Sequence, residues 1–314
     1  MSVAVALLFP GQGSQYVGMG ADLRKAFPES REVMEEAESV LGYGLAALCD
    51  EGPEEALSRT EHAQPAILAV SVMVLRALES RTAVQPSAVA GHSLGEYTAM
   101  VAAGVLDFAD ALRLVRARGQ LMQAAVPVGV GGMAAIVGLD EAAIELLCGD
   151  AGRPGEVLEV ANVNGAGQVV VAGHATAVDR AVTIAKERGA RLARRLPVSA
   201  PFHCALMEPA ALGLAELLAG ATVRVPKLPV ISSIDGLPEA DPHAIRERLG
   251  RQIVQPVRWD RCVRTLATLG CDEGYEVGPG NVLSGLGRRM QVGPAARPLG
   301  TAAAVERLAA GLAS

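Results

Sequence analysis

Apolar residues fall along this chain in two different rhythms. Near the start, Val3 to Phe9 is a continuous apolar run, as a strand covered on both faces requires. It runs into a glycine turn, Pro10-Gly11-Gln12-Gly13-Ser14-Gln15. Glu29–Leu41 and Pro53–Ser58 carry helical spacing. Gln64-Pro65 then opens a long apolar helix, about Ala66 to Leu78, with proline in its first turn. Its apolar residues cover nearly every side, which predicts a central helix. A short run, Ala88-Val89-Ala90, leads into a second glycine turn and a helix from Glu96 to Ala103. Asp107 is placed as the N-cap of a further helix reaching about Ala125.

After the break Pro127–Gly132 the rhythm changes. Met133–Val137 reads as a strand and Asp140–Cys148 as a helix. Val157–Ala161 and Gln168–Ala172 read as strands around a turn from Asn162 to Gly167. Ala175–Arg188 is a helix and Arg191–Leu196 a strand. The order βαββαβ is that of a ferredoxin-like split unit, here a small insertion over residues 129–197. The first rhythm resumes at Pro197–Cys204, followed by an apolar helix to about Leu218. Then come a strand at Val230-Ile231, helices over Asp241–Gln252 and Trp259–Leu269, and a strand over Glu273–Val277. The turn Gly278-Pro279-Gly280, a helix with Arg288-Arg289 and a last helix complete the pattern. The expected fold is α/β, with a parallel sheet in residues 1–128 and 198–314 and the insertion between.

Composition narrows this picture. Half of the 314 residues are apolar but only 3% are aromatic, so Ala, Val and Leu must build the core. The longest apolar stretch, Ala66 to Leu75, is broken by Ser71 and falls short of the ~20 residues of a membrane span. No signal peptide is read, and the five cysteines, Cys49, Cys148, Cys204, Cys262 and Cys271, form no Cys-x-x-Cys pair. Such a dispersed, odd set suits reduced thiols in the cytoplasm. A net charge of −6 argues against nucleic acid as a partner.

Chemistry concentrates at three places. Gly91, Ser93 and Gly95 form Gly-x-Ser-x-Gly between a strand and a helix, the setting of a nucleophile elbow. Side chains at 91 or 95 would collide with the neighbouring strand and helix, and Ser93 would sit on a strained turn. An ordinary glycine turn with an incidental serine fits the five residues as well. The turn at Gly11 is neither a dinucleotide fingerprint, because Tyr16 stands where a third glycine belongs, nor a P-loop, because no Gly-Lys-Ser/Thr occurs. Leu114, Arg118 and Leu121 share one helical stripe, so Arg118 either snorkels to water or is buried awaiting a carboxylate. Arg113 and Arg116 read as solvated charges. Of the histidines, His62 and His243 lie in polar surroundings and His174 in a loop. His92 is inside the elbow, and His203 stands where a rigid loop meets a helix. A structural and a catalytic role remain equally open for His203.

Taken in order, the motifs resemble one family. Phe9-Pro10-Gly11-Gln12-Gly13-Ser14-Gln15, Gly91-His92-Ser93-Leu94-Gly95-Glu96-Tyr97 and Arg116-Ala117-Arg118-Gly119 match the malonyl-CoA:acyl carrier protein transacylases of fatty acid synthesis. So do Ala161-Asn162-Val163-Asn164, Ser199-Ala200-Pro201-Phe202-His203, Gln252 to Trp259, and Tyr275-Glu276-Val277-Gly278-Pro279-Gly280. The resemblance spans the chain. It implies an α/β-hydrolase-like core, with Ser93 as nucleophile and His203 as its base. It places the carbonyl that orients His203 on Gln252, and the oxyanion donors on the amides of Gln12 and Leu94. It makes Arg118 the clamp for the malonyl carboxylate. Asn162 is a candidate for the pocket wall, though an Asn-x-Asn-Gly turn also explains it and Asn164. No metal or cofactor is implied. The partners are malonyl-CoA and acyl carrier protein, with no nucleic acid or membrane, and a monomer is expected. For the acidic carrier, Lys186, Arg188, Arg191, Arg194 and Arg195, or Arg288 and Arg289, offer basic surfaces. Polyketide acyltransfer, a malonate decarboxylase subunit, thioester hydrolysis and non-catalytic carrier binding remain as alternatives.

Overall fold

A computed structural model describes residues 4–311, so Val3 of the first apolar run lies outside the described residues. The described strands are β1 (Ala4–Phe9), β2 (Pro86–Gly91), β3 (Gly131–Val137), β4 (Leu158–Gly165), β5 (Gln168–His174), β6 (Leu192–Arg195), β7 (Val230–Ile231), β8 (Pro238–Glu239), β9 (Cys271–Glu276) and β10 (Ala295–Pro298). They make a mixed α/β fold with two sheets. The larger has the order β10-β9-β1-β2-β7-β8 and is parallel except for the β7–β8 pair. The smaller is antiparallel, β4-β5-β3-β6. β8 and β10 carry no apolar run. Both are short edge strands, where a strand needs cover on fewer sides.

The register of β1 and β2 places the two glycine turns side by side, because Leu8 pairs with Ala90 and Phe9 with Gly91. The contact between them is too tight for side chains. A Cβ on Gly95 would stand 2.0 Å from the Phe9 carbonyl oxygen, and one on Gly91 2.0 Å from the Gly95 carbonyl carbon. Ser93 between them takes φ 51°, the left-handed conformation expected of a strained elbow.

The central helix runs from Thr60 to Arg81, 22 residues, and so starts six residues before the expected Ala66. Pro65 therefore lies inside the helix rather than in its first turn. The extra turn is polar and invisible to apolar spacing. It is held because Gln64 Nε2 donates to Thr60 Oγ1 at 2.9 Å, one turn back. By length and composition this helix could cross a membrane, contrary to the shorter stretch read from sequence. Its most apolar window is 83% buried inside the protein, where neighbouring helices cover it. Asp107 is the N-cap residue of the helix Phe108–Ala125, but its side chain makes no capping bond. It instead holds Arg224 through two bonds of 2.9 and 2.6 Å. Arg116 is not simply solvated either: its guanidinium lies 5.2 Å from the Tyr43 ring centre, beside the Leu41 carbonyl it bonds.

In the smaller unit the strands alternate between two cores. Ala134, Ile136 and Val171 pack under the helices Glu141–Ala151 and Ala175–Glu187, while Met133, Ala135 and Val170 join the main core. Both faces are thus covered. β4 continues to Gly165, and the hairpin turn is only Ala166-Gly167, with φ 50° and 70°. Asn162 and Asn164 are therefore buried strand residues, not turn residues. β4 is stitched to the main unit by Val257, whose amide donates to the Ala161 carbonyl at 2.9 Å and whose carbonyl accepts from Val163 at 2.8 Å. His174 ends β5, where its Nδ1 accepts the Val157 amide at 2.8 Å.

Replacing Gly95 by alanine drives a methyl group into backbone that cannot retreat. The expected loss is about 3 kcal/mol, read as a lower denaturant midpoint. An unchanged midpoint would show that the β1–elbow contact relaxes freely.

Candidate active site

Ser93 projects from its turn just before the helix Gly95–Ala102, at the carboxyl end of the parallel strands. Its hydroxyl meets two side chains from remote parts of the chain. His203 Nε2 lies 2.7 Å away, and Arg118 Nη2 donates to Ser93 Oγ at 3.1 Å. His203 also has a left-handed backbone, φ 60°, following the rigid Pro201-Phe202 step. Its Nδ1 faces two carbonyls, Gln252 at 2.9 Å and Gln255 at 3.1 Å. Carbonyls only accept, so Nδ1 carries the proton and the Nε2 lone pair points at the serine. No carboxylate is needed to set this tautomer. Burial pushes the imidazole down to about 3, helped by the nearby Arg118 charge and opposed by the Gln252 bond. The ring therefore stays neutral, and able to accept the serine proton, far into the acid range.

Arg118 is buried, 1% exposed, so it does not snorkel. Among the described residues it touches no carboxylate. Nη1 donates to Gln64 Oε1 at 2.8 Å and Nη2 to Gln252 Oε1 at 2.9 Å, while Nε has no partner. Its guanidinium carbon stands 5.7 Å from the centre of the Tyr97 ring. The next residue explains the approach: a Cβ on Gly119 would come within 2.7 Å of the Thr60 carbonyl. Glycine lets the two helices close until Arg118 reaches Gln64.

A cavity of about 470 Å3 opens over these groups, lined by Gln12, Ser93, Leu94, Arg118, Asn162 and His203. The Gln12 side chain is drawn aside, its Oε1 accepting from Thr60 Oγ1 at 2.8 Å. The backbone amides of Gln12 and Leu94 donate to no protein acceptor among the described residues. Asn162 is in the wall, as the motif suggests. Asn164 faces His92 instead, 2.9 Å from its Nε2. A larger surface groove of about 760 Å3, between Glu208 and Arg251, contains neither Ser93 nor Arg118, so size alone does not mark the site.

Ser93, His203, Arg118, Gln12, Leu94 and Asn162 thus line one cavity, and Gln252 supports Arg118 and His203 from behind it. Four contributors are given no role, or only a weak one, by the sequence reading. Gln64 reads only as the polar residue leading an apolar helix, Gln255 only as part of the stretch Gln252 to Trp259, and Asn164 only as a weaker pocket candidate beside Asn162. Glu96 was seen only as part of a motif. Among the described residues no group of three or more His, Cys, Asp or Glu side chains gathers to hold a metal. The arrangement combines a nucleophilic hydroxyl, a neutral base with a fixed tautomer, free amides and a buried cation. That set can form and break an ester on Ser93 while holding an anionic group nearby.

The chain matches the model of the acyl transferase domain over residues 6–290. It is 50% identical over 285 residues to the malonyl CoA-acyl carrier protein transacylase of Escherichia coli, covering 91% of this chain and 92% of that one. The Bacillus subtilis protein of the same name is 42% identical over 286 residues, 91% and 90% of the two chains. Among solved structures, the malonyl CoA-acyl carrier protein transacylase of Coxiella burnetii superposes with a TM-score of 0.96 at 43% identity, covering 100% and 99%. A malonyl-transacylase in complex with a type II polyketide acyl-carrier protein superposes at 0.95 with 45% identity, covering 98% and 99%.

A fluorophosphonate that labels Ser93 reads the base directly. Its rate is expected to stay on a plateau from pH 8 to pH 5, because the His203 ring is held neutral below its usual range. A half-maximal rate near pH 6.5 would contradict that assignment.

Proposed function

Because the chain belongs to the acyl transferase domain family, we propose that it moves the malonyl group from malonyl-CoA to the phosphopantetheine thiol of acyl carrier protein through malonyl-Ser93. The observation that carries this reading is the shared hydroxyl: Ser93 Oγ contacts both a neutral imidazole and a buried guanidinium. A hydrolase elbow needs the first contact and has no use for the second.

His203 Nε2 takes the Ser93 proton as Oγ attacks the thioester carbonyl carbon. The oxyanion rests on the Gln12 and Leu94 amides, each such donor being worth about 3–4 kcal/mol in a transition state. The carbon–sulfur bond breaks, His203 returns its proton to the leaving CoA sulfur, and the malonyl ester of Ser93 remains. The carrier thiol then gives its proton to His203 and attacks the ester. Ser93 leaves and recovers the proton. Throughout, Arg118 pairs with the free carboxylate of the malonyl group. An acetyl group would leave that cation unpaired, a loss typically of about 3–5 kcal/mol. Gln252 orients His203 through its carbonyl, and Asn162 walls the pocket. The reaction draws on no metal or cofactor.

Residues 1–128 and 198–314 form an α/β-hydrolase-like catalytic domain, and residues 129–197 a ferredoxin-like subdomain. The strand order β4-β5-β3-β6 and a separate apolar core support that division. The site is assembled within one chain, so a monomer suffices. In the first basic set Arg188 and Arg195 already pair with Asp150 and Asp179, leaving Lys186, Arg191 and Arg194 exposed for an acidic carrier, and the second set, Arg288 and Arg289, is exposed as well. The five free, buried cysteines suit a reducing cytoplasm.

Mixing the protein with malonyl-CoA is expected to leave one malonyl adduct on Ser93 by mass spectrometry, passed on when holo carrier is added. Free malonate without carrier would point to hydrolysis instead. Fatty acid and polyketide carriers assayed in parallel separate the pathways. Arg118→Ala is expected to lower the preference for malonyl over acetyl by about a hundredfold. An unchanged preference refutes the clamp.

A further inference from the structure

Among the described residues Arg118 is a buried cation without a carboxylate in contact, yet its counter-charge is close. Glu96 lies in the first turn of the helix after Ser93 and is 1% exposed. Every hydrogen bond to its carboxylate comes from a neutral donor. The Ser233 amide donates to Oε1 at 3.2 Å, the Ser233 hydroxyl to Oε2 at 2.5 Å, and Gln252 Nε2 also donates to Oε2. Gln252 then relays the interaction. The same amide nitrogen lies 3.0 Å from the Ser93 carbonyl, and the amide oxygen accepts from Arg118 Nη2 at 2.9 Å.

A glutamine amide has a donor end and an acceptor end, and the two must not be exchanged here. Reversed, it would aim N–H groups at a guanidinium that has only donors. Its oxygen would then face the Ser93 carbonyl. Burial raises the Glu96 carboxyl pKa, and the Ser233 and Gln252 donors and the Arg118 charge oppose that rise. In its ionised form the carboxylate only accepts, so it fixes which end of Gln252 turns towards Arg118.

We infer that Glu96 is a positioning residue for the acyl-group selectivity of this site: it locks the Gln252 amide and thereby holds the Arg118 guanidinium in register with the Ser93 hydroxyl. It does so from one side chain away. A carboxylate in direct contact would occupy the donors that a substrate carboxylate needs. At one amide's remove it offsets the buried charge while Arg118 itself meets only neutral acceptors and keeps Nε unpartnered. The inference rests on the reading of Arg118 as the anchor for the malonyl carboxylate.

Glu96→Gln keeps the shape and removes the acceptor. Its oxygen must stay towards the Ser233 amide, which is backbone and cannot turn. Its nitrogen therefore replaces Oε2 and faces Gln252 Nε2, donor against donor. Gln252 flips, and Arg118 loses its acceptor. Acylation of Ser93 is measured with malonyl-CoA and acetyl-CoA for wild type, Glu96→Gln, Glu96→Asp and Arg118→Ala, alongside melting temperatures. In Glu96→Gln the malonyl preference falls about tenfold, the loss of one charged hydrogen bond, through a higher KM for malonyl-CoA. Glu96→Asp retains the preference even where it melts lower. Gln252→Met keeps the carbonyl that faces His203 but lacks the amide, so it shows the same loss whether or not Glu96→Gln folds. Equal losses on both substrates overturn the inference, as does an unchanged preference in Glu96→Gln or Gln252→Met where Arg118→Ala has lost it. A malonyl preference that survives Arg118→Ala overturns the reading of Arg118 itself, and the inference falls with it.

Discussion

A guanidinium with no carboxylate beside it among the described residues sits at the centre of this protein, and much of the architecture follows from keeping it there. Removing such an ion from water carries a penalty of several kcal/mol unless other groups take over its solvation. Here the replacements are fixed dipoles. Gln64 comes from the central helix, Gln252 from the segment before Val257, and the Tyr97 ring from the helix that follows the elbow. Each depends on an exact approach of backbones, which is why glycine stands at 95 and at 119. The network continues from Gln64 through Thr60 to Gln12, and from Gln252 to Glu96 and Ser233. One polar chain thus crosses an otherwise apolar core and ties the two glycine turns to the central helix.

The imidazole is handled by the same economy of charge. Two carbonyls hold Nδ1 where a carboxylate might have been placed, so the base gains a fixed tautomer without gaining an anion. An added anion would have raised the basicity of His203 and competed for Arg118. Neutral orienters leave the guanidinium as the charged group that touches the Ser93 hydroxyl, directed at an anionic acyl group. Ser93 and His203 both pay for their positions with left-handed backbone, the kind of local strain that rigid surroundings must hold.

Much of this was legible in the chain because tight packing writes itself in glycine and because buried strands read as apolar runs. The two turns, the order of elements in the insertion and the odd arginine in an apolar stripe all came from such patterns. What escaped has physical reasons. The first turn of the central helix is polar, since Thr60 and Gln64 satisfy each other, so apolar periodicity could not extend to it. Asn162 and Asn164 have turn chemistry by composition but lie on a strand, because a two-residue hairpin at Ala166-Gly167 left them nothing to turn. Asp107 is at a cap position but is claimed by Arg224, a partner 117 residues away. Glu96 and Gln255 work through contacts that exist only once distant segments meet.

The separation of nucleophile and base along the chain has a consequence for how the protein comes into being. Ser93 and His203 are 110 residues apart, and the whole antiparallel unit lies between them. Closing so long a loop carries an entropic cost that is repaid only when the contacts beyond it form. An emerging polypeptide that has built β1, β2 and the elbow holds a serine but neither its base nor the carbonyls that aim the base, which come later still at 252 and 255. Reactivity is therefore a late property of this chain. A chain that lacks those later segments has a serine hydroxyl with no group placed to take its proton.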